Sequence, residues 1–199
     1  MKKYLTHALV VAMIGIGIVI WLWYSKTSLS SGEDLVPTSI IGVQHLGYGY
    51  LISDFYVDKY GGGTIPRTGG GGSMVCCVIL PPKWRPGLTV EIRWRVEDWT
   101  RENRAQIDAG NYASVTEKGI YLAQVPVEKY EEPHDVYVHF FSRGRVRVVS
   151  TMYSVLNPLH PVPYGLVHSD SMATAGWPIK EMFSQAELQE MKKRSNPWK

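Results

Sequence analysis

The sequence predicts a mainly β protein: an antiparallel β-sandwich or a related open barrel, with an N-terminal transmembrane helix before it and a short C-terminal helix at its end. Three observations point there. Leu88, Val90, Ile92, Trp94 and Val96 alternate with Thr89, Glu91, Arg93 and Arg95, the period-two pattern of a half-buried strand. Similar apolar or aromatic runs recur along the chain with turn residues between them. The composition, with 12 Tyr, 7 Trp and 19 Gly in 199 residues, suits antiparallel sheets and their turns better than helix bundles.

The strand candidates besides Leu88 to Val96 are Ser39 to Leu46, Tyr50 to Val57, Val75 to Leu80, Gly119 to Val125, Asp135 to Phe141 and Arg145 to Val155. Between the last two, Ser142-Arg143-Gly144 offers a glycine for positive φ, which predicts a hairpin. The glycine clusters Gly61 to Gly63 and Gly69 to Gly72 enclose Thr64 to Thr68 and read as a turning or mobile loop. A phosphate loop would need a Lys and a Ser or Thr after the glycines at a helix start, and neither is present. Glu97 to Lys118 is polar, lacks alternation and reads as a long loop with one short helix around Glu102 to Ala109. Ser184 to Arg194 has better helix signals: Ser184 as N-cap, Glu187 three residues on, and Lys192, Lys193 and Arg194 in the last turn.

Ahead of the β-rich part, Leu9 to Tyr24 reads LVVAMIGIGIVIWLWY, with no charged side chain. Extended back toward Tyr4 it approaches the roughly 20 helical residues that cross a bilayer. Lys2 and Lys3 precede it, while Glu33 and Asp34 follow, so the positive-inside rule keeps the amino terminus in the cytoplasm. Trp21, Trp23 and Tyr24 would lie at the outer headgroup layer. Trp-Leu-Trp-Tyr is a poor cleavage site, which favours an uncleaved anchor over a signal peptide. The expected organisation is therefore a cytoplasmic tip and anchor over 1–24, a Ser-containing linker over 25–38, and a periplasmic domain over 39–199 at the inner membrane.

Apolar residues at 45% and charged residues at 20% match an ordinary globular domain, and a formal charge of +3 from 21 basic and 18 acidic residues is too small to argue for nucleic acid. Cys76 and Cys77 are adjacent. Across a trans peptide their Cα atoms would sit about 3.8 Å apart with side chains on opposite faces of a strand, so two reduced thiols are expected ahead of a vicinal disulfide. His134, Asp135 and His139 resemble metal ligands in type, yet on a strand His134 faces away from the other two, and neither a metal nor a cofactor is expected. His168 to Ser171 is contiguous and no G-x-S-x-G elbow exists, so nothing points to a hydrolase. Trp99, Tyr112 and Tyr130 are candidates for a binding patch.

Resemblance reaches further. The run GGGGSMVCCVILPPKWRPGLTVEIRW over Gly69 to Trp94, then VPVEKYEEPHDVYVHFFSRGRVRVVST over Val125 to Thr151 and NPLHPVPYG over Asn157 to Gly165, resembles a family of bacterial envelope proteins, often lipoproteins, encoded beside type VI secretion lipase effectors. The resemblance implies an immunity protein that binds and neutralises such a lipase without catalysis. This chain departs from that pattern in lacking a lipid-accepting Cys near its start. Trp99, Arg101 and Tyr112, on the long polar loop, are the expected partner-binding residues, because Trp, Tyr and Arg dominate interface hot spots. A structural or assembly factor of an envelope complex, or a glycan-binding module, are the alternatives.

Overall fold

The computed structural model describes residues 35–67, 75–100, 103–112, 119–165 and 171–195. The expected anchor and the linker up to residue 34 lie outside the described residues. Among those described, no helix is long and apolar enough to cross a membrane.

The described residues form ten strands and two helices, in order β1 Val36–Gln44, β2 Tyr50–Val57, β3 Tyr60–Ile65, β4 Val75–Leu80, β5 Thr89–Asp98, α1 Arg104–Asp108, β6 Gly119–Pro126, β7 Val136–Phe141, β8 Arg145–Ser150, β9 Thr174–Ala175, β10 Trp177–Ile179 and α2 Gln185–Ser195. They form two five-stranded sheets, ordered β4-β1-β7-β8-β9 and β10-β6-β5-β2-β3. The expected mainly β fold with a short C-terminal helix is thus present.

The antiparallel expectation needs one correction, because β1 and β7 pair in parallel at the centre of the first sheet. Parallel neighbours need a long connection, and here the intervening strands of both sheets supply it. The sequence ranges also shift. β1 opens at Val36, inside the expected linker, and β8 stops at Ser150 rather than Val155. Gly61 to Gly63 belong to a strand, β3, where a loop was expected. β3 is an edge strand paired with β2 through irregular register, and glycine leaves no alternation from which to read it.

The two sheets share one core. Ile40, Val138, Phe140, Val146 and Val148 of the first sheet cluster with Ile52, Phe55, Ile92, Trp94, Ala123 and Val125 of the second. The Phe140 ring meets Phe55 edge-on at 5.3 Å between centroids and Trp94 at 5.6 Å. β5 follows its alternation, with Val90, Ile92, Trp94 and Val96 all buried. Gly144 closes the β7–β8 hairpin at φ +63, and a Cβ there would come within 2.6 Å of the Tyr121 ring, so this turn requires glycine for both conformation and space.

β7 is buried at all six positions. Val136, Val138 and Phe140 face the shared core, whereas Tyr137 and Phe141 face a second cluster with Val43, Val149, Val162 and Ala173. Val162 and Ala173 come from the long segment after β8, which covers the outer face of the first sheet.

α2 covers the outer face of the second sheet through one charge. The Ser184 amide donates to Glu187 Oε2 at 2.9 Å and the Glu187 amide donates back to Ser184 Oγ at 3.3 Å, a reciprocal capping box. Glu187 also accepts from Arg93 of β5 at 2.8 Å, and Arg93 donates to the Met182 carbonyl at 2.7 Å. The Arg93 hydrogen bond, with help from Ser184, draws the Glu187 carboxyl down from 4.5 to about 2. A depressed carboxylate stabilises above its unfolded value and loses that contribution as pH falls through the folded one. Amide exchange over 185–195 is therefore expected to stay protected down to about pH 4.5 and to open between there and about pH 2. Glu187→Gln should abolish that acid step, and an unchanged step in the variant would contradict the assignment.

Candidate functional site

At one end of the two sheets, β1, β3 and β5 finish while β2 and β6 begin, so three connections meet there. Gln44, the last residue of β1 and buried, holds two of them. Its Nε2 donates to the Tyr50 carbonyl and to the Pro66 carbonyl, each at 3.0 Å, and its Oε1 accepts from the Leu46 amide at 3.1 Å. One side chain thereby fixes both the β1–β2 turn and the exit from β3. Gly49 brings in the third connection. Its carbonyl accepts from the Trp99 amide at 2.8 Å, and with φ +97 and Thr100 only 3.1 Å from where a Cβ would sit, no other residue fits easily.

Beyond β5, the chain is turned by its own polar groups. Asp98 accepts from the Thr100 amide at 3.0 Å through its carboxylate and from Asn103 Nδ2 at 2.8 Å through its carbonyl. The turn feeds α1. What results is a cleft of about 430 Å³ lined by Tyr48, Gly49, Arg67, Trp99, Thr100, Arg104 and Ile107. The Arg67 guanidinium lies over the Trp99 ring at 5.0 Å, within cation–π range. Trp99 Nε1 donates to Glu97 at 2.9 Å, which orients the indole. Tyr112 is 6.3 Å from Trp99 between ring centroids and 58% exposed, and Tyr48 is 85% exposed. Arg104 is ion-paired with Asp108 at 2.9 Å, whereas Arg67 has no acidic partner among the described residues.

Such a cleft offers a guanidinium over an indole with no acidic partner among the described residues, a second arginine and Tyr48 in its lining, and Tyr112 beside the indole. It is suited to grip an anionic or hydrogen-bonding group that carries apolar surface beside it, which is what a protein side-chain cluster provides. Of the expected partner-binding residues, Trp99 and Tyr112 come together here, and Arg101 lies outside the described residues. Tyr130 does not join them: it is 7% exposed and donates its hydroxyl to the Pro81 carbonyl at 2.7 Å, so it is part of the core. Tyr48, Arg67 and Arg104 were missed. Arg67 sits between the glycine clusters, and nothing in its neighbours says that β3 and Gln44 deliver it to Trp99.

The cysteines also depart from expectation. Cys76 and Cys77 form a vicinal disulfide on the edge strand β4, with their Cα atoms 3.1 Å apart. The expectation of separate thiols assumed a trans peptide, and the Cys76–Cys77 bond is cis. His134, Asp135 and His139 do not converge on a common point, and among the described residues no group of three His, Cys, Asp or Glu side chains is arranged to hold a metal ion. Of His168 to Ser171, only Ser171 is described.

Residues 48–148 match the profile of a protein family of unknown function, DUF3304. The chain belongs to that family. Its DUF3304 span opens at Tyr48, on the rim of the cleft, and includes Arg67, Trp99, Arg104 and Tyr112, whereas Gln44, which positions them, precedes it. No curated protein and no solved structure matches the chain.

Gln44→Ala deletes three partly buried hydrogen bonds and leaves the Tyr50 and Pro66 carbonyls and the Leu46 amide to find other partners. A loss of about 1–3 kcal/mol in unfolding free energy is expected from chemical denaturation. An unchanged denaturation midpoint would show that Gln44 does not organise this end of the domain.

Proposed function

We propose that this protein is a membrane-anchored periplasmic immunity protein that binds and neutralises a type VI secretion lipase effector, and that the Trp99 cleft is its neutralising surface. The single observation that carries the choice of surface is the Arg67 guanidinium over the Trp99 ring, with Tyr48 and Arg104 in the same cleft and Tyr112 near the indole. Trp, Tyr and Arg are the residue types whose loss is most costly at protein interfaces, and hot spots cluster in pockets of this kind.

The partner's identity rests on the resemblance over about Ile40 to Gly165, and the compartment on the uncharged Leu9 to Tyr24 with its lysines before and acids after. A lipase delivered into the periplasm threatens the phospholipids of the producer's own kin, so its inhibitor has to wait at the membrane surface. Inhibition would be steric. A standard interface covers roughly 800 Å² per partner, enough for the cleft and its neighbouring loops to obstruct a lipase's access to lipid. The partner would bring an acidic residue to Arg67, because a guanidinium without a carboxylate near the surface favours bidentate pairing.

A glycan-binding module would also use exposed aromatics, but sugars stack on open ring faces, and Arg67 already covers one face of Trp99. An envelope assembly factor would be distinguished by failed assembly in a deletion strain that shows no toxin sensitivity.

Cells exporting the lipase encoded in the same gene neighbourhood, and carrying either the intact protein, a deletion or single variants, test the reading. Trp99→Ala, Arg67→Ala, Arg101→Ala and Tyr112→Ala cover the surface. A true anchor should weaken binding by about 2 kcal/mol or more, roughly thirtyfold, without loss of fold. Equal killing with and without the intact protein would overturn the immunity role. Full protection by all four variants would instead remove the interface from the cleft.

A further inference from the structure

The long segment after β8 is fastened to the outer face of the first sheet by three histidines joined end to end. His45 follows β1, His139 lies in β7 and is 0% exposed, and His160 belongs to the segment itself. Four polar contacts run along them. His45 Nδ1 meets the Gly165 carbonyl at 2.9 Å, His45 Nε2 meets His139 Nδ1 at 2.9 Å, His139 Nε2 meets His160 Nε2 at 3.1 Å, and His160 Nδ1 meets the Tyr153 carbonyl at 2.8 Å. Both ends of this chain therefore terminate on carbonyls of the same segment.

Counting hydrogens decides what the chain can hold. Each contact uses one N–H, and a carbonyl can only accept, so the four contacts together accommodate four hydrogens. Three neutral imidazoles carry three N–H groups. One added proton makes four and completes the chain. A second makes five, and some nitrogen must then point its N–H at another N–H or abandon its contact.

We propose that this histidine chain is an acid-released clasp: the segment 151–165 stays on the sheet while at most one extra proton is shared along the three rings, and is let go when a second is added. The surroundings favour release over accommodation. Tyr137 of β7 packs edge-on against the His160 ring at 4.7 Å, and Phe141 stacks on His45 at 4.7 Å. Arg147 of β8, opposite His139 across the β7–β8 pair, is a cation engaged by Glu128. Asp135 acts on Tyr137 and is not among the groups that act on His139 or His160. Burial holds His139 well below its ordinary 6.5, with His45, His160 and Arg147 opposing charge there too. Burial also lowers His160, reinforced by Arg147 and opposed by the bond to the Tyr153 carbonyl.

With the segment undocked the rings are solvated and take up protons near 6.5, whereas docked they resist the second proton. Docking is favoured above that value and is lost as pH falls below it. Release would bare part of the surface of Tyr137, Phe141, Val43 and Val149 that clusters with Val162, and would free a segment that already exposes Leu156 at 76% and Leu159 at 66%. An apolar surface would appear in acid and disappear on neutralisation.

The test follows all three rings by long-range proton–nitrogen NMR between pH 8 and 4.5, with amide exchange over 151–165 measured in the same samples and corrected for intrinsic pH dependence. The expected result is at least a tenfold, reversible rise in exchange of that segment as the second ring becomes charged. It should come below pH 6.5, with the amides of 185–195 still protected in the same samples. His160→Gln, which keeps a polar end but cannot titrate, should flatten the rise. The proposal is overturned if two rings become charged with the segment still protected, or if it opens while all rings are neutral. It is equally overturned if the rings stay uncharged throughout, or if a folded His160→Gln protein opens with the original pH profile.

Discussion

A strand covered on both faces has no solvent side on which to place a polar group, and β7 is such a strand. Its inner residues meet the second sheet and its outer ones meet the segment that follows β8. Five of its six side chains are aromatic or valine, and the sixth, His139, has both ring nitrogens engaged. A buried polar group without partners is costly, so His139 obliges the chain to bring His45 and His160 to it. β1 lies parallel to β7 in the middle of the sheet, and its end reaches both the cleft and the histidine chain. Gln44 turns toward the connections that build the cleft, and the next residue, His45, turns toward the outer segment. Consecutive residues at the end of β1 thus reach the cleft connections on one side and the histidine chain on the other.

How much of this could be read in advance depends on whether each feature is local. β5 was legible because its two faces meet different surroundings, so side-chain type alternates. The β7–β8 hairpin was legible because a turn with successive residues at positive φ, Arg143 at 61° and Gly144 at 63°, calls for glycine. The capping box of α2 is written in Ser184 and Glu187. β3 was hidden because a glycine strand has no side chains to alternate. The parallel β1–β7 pair was hidden because neighbouring strands far apart in sequence leave no local signature.

The candidate site was half legible for the same reason. Trp99 and Tyr112 stood out by residue type on a polar loop. Arg67 and Tyr48 arrive from other connections, and only the hydrogen bonds of Gln44 and Gly49 bring them near. Tyr130 shows the limit of residue type as a guide: the same ring, in a loop of similar polarity, is buried with its hydroxyl satisfied. The histidines were scattered over more than a hundred positions, and no spacing rule joins His45 to His160. The cysteine expectation failed on its premise about the peptide bond rather than on strand geometry.

What distinguishes the cleft from an ordinary aromatic surface is that its cation is preorganised. Arg67 lies over an indole whose own N–H is fixed by Glu97, so less side-chain freedom would be lost if a carboxylate docked there. The most direct measurement of whether this end of the domain meets a partner is site-specific photo-crosslinking in cells exporting the lipase. A photoreactive phenylalanine analogue would stand in turn at Tyr112, beside Trp99, and at Ile79, exposed on the edge strand β4. The account predicts a covalent adduct with the lipase from position 112 and none from position 79. An adduct from 79 with none from 112 would contradict it.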